Sequence, residues 1–213
     1  MPITLQHFYM IRHGETEANA ARLMAGSLDS PLTDKGRAQA AQTQSIIENL
    51  QIKPRAIVHS QLSRARNTAK ILNTNLNLPM HEDADLAEWH AGDWEGVPYE
   101  DCEEMMISWP TPPNGEKALD FIARVQKAKN KALQNPTQPV MIVCHGGIFR
   151  AFGKLYGLES PGVENCTLYE FKPAPSKTQF PWDVWEHSTS NDPVRKQVMI
   201  YSAPTASDSK IAL

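Results

Sequence analysis

Phe8-Tyr9-Met10-Ile11-Arg12-His13-Gly14-Glu15-Thr16-Glu17-Ala18-Asn19 is the stretch whose reading decides the fold. Its consecutive bulky apolar residues are too few for a helix and read as a buried strand over about residues 5–12. The run ends abruptly in Arg12, His13 and Gly14, and a polar segment follows. Arginine fixes a phosphate by paired charge-assisted hydrogen bonds. Histidine serves as nucleophile or general acid/base near neutral pH. Glycine lets backbone amides come close to an anion. The combination points to phosphoryl chemistry at a strand end, though three residues alone do not establish it.

A second stretch repeats the design. Val140-Met141-Ile142-Val143-Cys144 is apolar throughout and stops at His145-Gly146-Gly147, after which residues 148–156 read as a helix. Between the two, Thr33 is an N-cap for a helix running to about Leu50, and Ala56-Ile57-Val58 is a short buried strand. Ser60 reads as the N-cap of a helix from Leu62 to Leu76. A further helix runs from Gly115-Glu116 to about Leu133. Alternating strands and helices imply a largely parallel sheet with helices on both faces, an α/β three-layer sandwich. Ligands of such sheets bind beyond the carboxyl ends of the strands. Were the two apolar strands neighbours, spaced about 4.8 Å apart, His13 and His145 would face one another across one site.

Arg64 and Arg66 fall in the first turns of their helix, where a cation is disfavoured by a few tenths to about 1 kcal/mol. They read either as solvated arginines or as part of an anion site. Residues 77–118 lack periodicity but hold Trp89, Trp94 and Trp109 among repeated prolines, as expected of a functional excursion over the sheet. Residues 166–171 make another strand. Beyond Lys172 the composition turns rich in proline, serine and threonine. There Trp182–Trp185 and Gln197–Tyr201 are expected to pair as a β-hairpin through residues 188–193, and the last ten or so residues to fray. The chain is expected to form one domain over residues 1–213, a core of 1–172 with a C-terminal extension of 173–213.

The 213 residues are 41% hydrophobic and 21% charged, as in a soluble globular protein with a sizeable core. A net charge of −3 offers no overall basic field for nucleic acid or a membrane surface. Cys102, Cys144 and Cys166 lack both disulfide and metal-ligand spacing. With no secretory signal and no membrane-spanning run, the expected location is cytoplasmic.

Four separated matches resemble the histidine phosphatase superfamily, the group that contains cofactor-dependent phosphoglycerate mutase and many small phosphatases. They are Arg12-His13-Gly14-Glu15 with Asn19; Ser60-Gln61-Leu62-Ser63-Arg64-Ala65-Arg66-Asn67-Thr68-Ala69; Leu86-Ala87-Glu88 with Gly92-Asp93-Trp94-Glu95-Gly96; and His145-Gly146-Gly147. The resemblance covers residues 5 to about 172 and implies a phosphoglycerate mutase-like fold. It implies that His13 is the nucleophile that becomes phosphorylated. Arg12, Arg64 and His145 would hold the transferred group, with Asn19 and Gly146 as further phosphate contacts. Glu88 would be the proton donor and Glu15 a supporting residue.

Phosphoryl transfer is catalysed mainly by positioned cations and donors, which suits this set. His13 must be neutral to attack, while a protonated His145 would bind charge better, so their pKa values are expected to diverge. Trp89 and Trp94 are expected to desolvate Glu88. A zinc site through His7, His13, His59 and His145 has no motif spacing. No metal or cofactor is expected. His145 follows Gly96 by only 49 positions (145 − 96 = 49), leaving little room for a mutase lid. The expected activity is therefore metal-independent hydrolysis of a small phosphomonoester. The alternatives are phosphoglycerate mutase-type transfer and a non-catalytic phospho-ligand binding protein. Arg22, Met24, Trp89, Trp109 and Asn165 are candidates for shaping substrate choice. The expected partner is the small phosphorylated substrate, and a homodimer is left open.

Overall fold

The computed structural model describes residues 3–102, 109–160, 162–187 and 195–204. Seven strands form one sheet: β1 (Phe8–Arg12), β2 (Ala56–Ser60), β3 (Met80–Asp83), β4 (Val140–Cys144), β5 (Leu168–Pro173), β6 (Trp182–His187) and β7 (Arg195–Gln197). Their order is β3-β2-β4-β1-β5-β6-β7. The first four in that order run parallel. Strands β5, β6 and β7 are added antiparallel at one edge. Strands β1 and β4 are neighbours in a register that pairs Arg12 with Cys144, so both carry their next residue, a histidine, to the same edge.

The described helices include α1 (Glu17–Ala20), α2 (Asp34–Glu48), α3 (Ser63–Leu72), α4 (Ala118–Leu133) and α5 (Gly146–Lys154), the last four packing on the sheet. The central strands are apolar at consecutive positions because they are covered on both faces. From β1, Tyr9 and Ile11 join the core under α2 and α3, with Ala40, Ile47, Ala65 and Leu72. Phe8 and Met10 join the opposite core under α4 and α5, with Phe121, Val125, Phe149 and Phe152. In α4 the stripe Phe121, Val125, Ala128 and Ala132 keeps helical spacing and is buried throughout. The expected three-layer sandwich is present.

The structure corrects several boundaries. Strand β3 lies in the stretch without periodicity: Met-His-Glu-Asp is an exposed edge strand with little apolar content to signal it. Ser60 is not a helix cap but the last residue of β2, and Leu62 precedes α3 with no side-chain cap. Asp29 caps that helix from a distant loop, accepting from the backbone N and Oγ of Ser63 at 2.9 and 2.7 Å. Helix α3 stops at Leu72 rather than Leu76. The Asn73 amide bonds both the N–H and the C=O of Leu78, diverting the chain into a turn. The hairpin is present as β6 and β7, but its second strand is Arg195–Gln197, not 197–201. The connecting residues 188–194 and the terminal residues 205–213 lie outside the described set.

The turn after β1 presses against the start of α2. Gly14 N–H donates to Thr68 Oγ1 rather than facing an anion. Its lack of a side chain instead admits α2, since a Cβ on Gly14 would lie 2.4 Å from the Gly36 carbonyl oxygen. Conversely, a Cβ on Gly36 would lie 2.0 Å from the carbonyl oxygen of Glu15. Alanine in a helix interior normally gains up to about 1 kcal/mol over glycine. Here Gly36→Ala should lower unfolding free energy by about 1–3 kcal/mol through overpacking, read as a lower urea midpoint at constant slope. An unchanged or higher midpoint would show that the contact yields.

Candidate active site

At the carboxyl ends of β1 and β4, the rings of His13 and His145 lie 5.1 Å apart at an interplanar angle of 60°. Both are buried. The turn carrying His13 is fixed from two sides, its N–H donating to Cys144 O at 3.0 Å and its carbonyl accepting from Asn165 Nδ2 at 2.8 Å. The imidazole Nδ1 lies 2.7 Å from the Gly14 carbonyl oxygen. A carbonyl only accepts, so Nδ1 carries the proton and Nε2 keeps a free lone pair. Burial pushes the His13 pKa well down, and the nearby charges of Arg64 and Arg12 push it further.

His145 is held at both ring nitrogens. Arg64 Nε donates to Nδ1 at 3.3 Å, and Nε2 lies 2.8 Å from Ser60 Oγ. This fixes the neutral ring with its proton on Nε2. Burial and then the charges of Arg64, His13, Arg12 and Arg124 depress its pKa as well. The two histidines are therefore not driven apart as expected. The physical reason is that among the described residues no carboxylate hydrogen-bonds His145; its ring nitrogens meet a cation and a hydroxyl.

Arg64, in the first turn of α3, is 1% exposed. Its Nη1 donates to Leu28 O and its Nη2 to Gly26 O, both at 2.6 Å. Burial lowers its pKa, partly offset by the negative charge of Glu88. Arg66 takes the other expected fate, a solvent-exposed arginine 3.6 Å from Glu82. Arg12 donates from Nη1 to Val163 O at 2.9 Å, while its buried Nε has no hydrogen-bond partner among the described residues. That orphaned donor is what a bound oxyanion would satisfy. Asn19, in the one-turn helix α1, completes a capping box with Thr16. Its Oδ1 accepts from Thr16 N at 3.2 Å and from Asn165 Nδ2 at 3.4 Å. Asn165 thus orients Asn19 and is not among the residues that line the cavity.

Glu88 reaches the site from the excursion between β3 and α4. One carboxylate oxygen accepts from Trp89 N at 2.9 Å and the other from Gly147 N at 3.0 Å. A Cβ at Gly147 would fall 2.1 Å from the carboxylate, so only glycine admits it there. Backbone amides on both oxygens hold the Glu88 carboxylate in place. Trp89, Trp94, Trp109 and Phe121 form a chain of edge-to-face contacts that scaffolds the excursion. Arg124 of α4 locks its backbone, donating to the carbonyls of Asp85, Ala87 and Glu88 at 2.7–3.0 Å and pairing with Glu116. Neither this role nor the Ser60 contact is anticipated above. The available signal for Arg124 was a cation next to the buried stripe of α4. Glu15 bonds Thr33 and Lys35 at the start of α2, away from the cavity.

A cavity of about 760 Å³ is lined by Arg12, His13, Asn19, Arg64, Glu88 and Gly146, while the fully buried His145 is not among its lining residues. Arg22, Met24, Trp89 and Trp109 also line it, as does Ser202 from the C-terminal extension. The zinc alternative does not assemble: His7 bonds Glu170 at 3.0 Å, on the β5 side of the sheet. Among the described residues no cluster of three histidine, cysteine or acidic side chains is arranged to hold a metal ion.

Residues 8–180 match the family model of the histidine phosphatase superfamily (branch 1). A glucosyl-3-phosphoglycerate phosphatase of Mycolicibacterium vanbaalenii is 32% identical over 164 residues, 69% of this chain and 72% of the relative. An adenosylcobalamin/alpha-ribazole phosphatase of Salmonella typhimurium is 33% identical over 152 residues, 66% of this chain and 74% of the relative. Among solved structures, a native mycobacterial glucosyl-3-phosphoglycerate phosphatase superposes with a TM-score of 0.70 at 26% identity. It covers 84% of this chain and 96% of that one.

The buried neutral histidines set an acid limit. Their folded pKa values lie below the unfolded value of about 6.5, so as pH falls past that value the unfolded state binds protons the native state refuses. Stability is full above about pH 6.5 and should then fall by about 1.4 kcal/mol per pH unit for each histidine. Urea unfolding at pH 7, 6, 5.5 and 5 should show this loss, with roughly half the slope in His145→Asn. A flat profile over that range would contradict neutral burial.

Proposed function

The chain belongs to the histidine phosphatase superfamily, and from that membership we propose a phosphomonoesterase that works through a phosphohistidine at His13. The observation that carries this is the His13 tautomer. Its Nδ1–H is committed to the Gly14 carbonyl, which leaves the Nε2 lone pair as the nucleophile beside Arg12 and Arg64.

In the first step Nε2 attacks phosphorus and the bond to the leaving oxygen breaks. Glu88, entering this step as the carboxylic acid, gives that oxygen its proton and is left as the carboxylate. In the second step water attacks the phosphohistidine, Glu88 takes the water proton, and the P–N electron pair returns to Nε2. Arg12, Arg64 and Asn19 meet the negative charge on the equatorial oxygens. His145 joins them as the dianion arrives. Protonated at Nδ1, it would no longer accept from Arg64 Nε, and Nδ1–H would be free to donate to a phosphate oxygen while Nε2–H keeps Ser60 Oγ. Phosphate binding should therefore take up a proton at His145.

The cavity has the size of a small-metabolite site, and a phosphoryl group would fill only part of it. Beyond the phosphate ligands its lining holds cations (Arg22, Arg150), acids (Glu100, Glu159) and hydroxyls (Ser160, Ser202) beside the aromatic rings of Trp89, Tyr99 and Trp109, a mixture we read as suiting a neutral, hydroxyl-rich leaving group such as a sugar or polyol. Two backbone hydrogen bonds pair Ser202 with Glu159, and Tyr201 Oη donates to Phe149 O at 3.0 Å. This docking of the extension supports reading residues 1–213 as one functional unit. No helix among the described residues is long and apolar enough to cross a membrane, and we place the enzyme in the cytoplasm.

The test is a panel of sugar, polyol, nucleoside and phosphoglycerate monophosphates assayed with EDTA present, on wild type and His13→Ala. Turnover should fall by more than about 1,000-fold in the variant, with the fold intact by circular dichroism. Wild type quenched during turnover should carry a phosphoryl label that is lost in acid and retained in alkali. An acid-stable label, or full activity in His13→Ala, would refute the nucleophile. Phosphate binding without any turnover would favour a binding protein instead.

A further inference from the structure

Glu95, within the third sequence match, takes no part in the chemistry above, yet its contacts lead directly to Arg64. We propose that Glu95 is a positioning residue: it holds the turn at residues 25–28, whose carbonyl oxygens aim the Arg64 guanidinium at the phosphoryl group. This rests on the reading of Arg64 as a phosphate ligand.

The guanidinium of Arg64 is buried, and its terminal nitrogens are oriented by the carbonyls of Gly26 and Leu28. Where those two oxygens sit decides where the remaining N–H groups of Arg64 point. The turn that presents them is closed by a hydrogen bond from Leu28 N to Ala25 O at 2.9 Å. Its tip is fastened by a single oxygen. Glu95 Oε1 accepts from Ser27 N at 2.7 Å, from Ser27 Oγ at 2.8 Å and from Ala91 N at 3.0 Å. One atom thus ties the Arg64 clamp to the excursion that carries Glu88, coupling the phosphate ligand to the proton donor. A carboxylate suits three donors on one oxygen; a glutamine amide oxygen is the weaker acceptor.

The base of the loop has its own attachment. Met24 N donates to Val97 O at 2.9 Å and Gly96 N to Met24 O at 2.7 Å. Removing the Glu95 carboxylate therefore loosens the tip, and with it the clamp, while leaving the loop attached. Displacement of a catalytic group by about 1 Å costs on the order of 100-fold in rate.

Orthovanadate binding and phosphomonoester kinetics on wild type, Glu95→Ala, Glu95→Gln, Arg64→Ala and the Glu95→Ala/Arg64→Ala double variant test this. Glu95→Ala should weaken vanadate binding and lower kcat by about 10- to 100-fold, with KM changing less. Glu95→Gln should recover part of the loss, and it carries the comparison should the alanine variant fail to fold. In the Arg64→Ala background, Glu95→Ala should cost less than about threefold, because the group it positions is gone. Losses that multiply in the double variant, or vanadate affinity within twofold of wild type in Glu95→Ala, would overturn the proposal. A wild type that binds vanadate but hydrolyses nothing would instead refute the phosphatase reading, and the vanadate comparison would still decide the coupling. A wild type that binds no vanadate would overturn both.

Discussion

The parallel pairing of β1 with β4 is the constraint on which the site depends. Its register places Arg12 opposite Cys144, so the residues that follow, His13 and His145, leave the sheet at one level and meet ring to ring. A one-residue slip would turn every side chain of a strand to the other face, and both faces here are packed. The apolar alternation of Phe8 and Met10 against Tyr9 and Ile11 thus does more than build two cores. It also locks the distance between the candidate nucleophile and its partner. Ladder bonds continue past the strand end, from His13 N to Cys144 O and from Cys166 N to Arg12 O, so the turn is as firmly held as the sheet.

On this frame the protein buries positive charge with little compensation. Arg64 is satisfied by carbonyl dipoles and a neutral histidine rather than by an acid, and Arg12 keeps a buried donor without a partner. Such burial costs stability, because desolvation disfavours the charged forms. The same cost makes the site receptive to a dianion, whose arrival supplies the missing counter-charge in a medium where attraction is weakly screened. The depressed histidines follow from the same crowding, which holds both rings neutral. On the proposed mechanism a neutral His13 is ready to attack and His145 takes up a proton as phosphate binds.

The supporting residues show how indirectly such a site is held. Arg124 binds the backbone carbonyls of Asp85, Ala87 and Glu88, and Asn165 donates to the amide oxygen of Asn19. Asp29 caps α3 from a loop 34 residues away in sequence. The C-terminal extension lengthens the sheet by two antiparallel strands and then returns to the cavity at Ser202. Each of these contacts joins segments distant in the chain.

The order of apolar strands and amphipathic helices, and the residues that stand at the strand ends, were determined by the sequence alone. Consecutive bulky residues can only be buried on both faces, and a histidine followed by glycine after such a run has to lie where ligands of parallel sheets bind. The four matches with Arg12, His13, Arg64, Glu88 and His145 were legible for that reason. Strand β3 was not, because an edge strand shows little apolar pattern, nor was the end of α3, where Asn73 diverts the backbone. The tautomer of His145, the amide cradle of Glu88 and the contacts of Ser60, Arg124 and Glu95 were decided only by the tertiary structure. They depend on which donors and acceptors meet across the fold, and hydrogen bonding between residues far apart in sequence leaves no local periodicity to read.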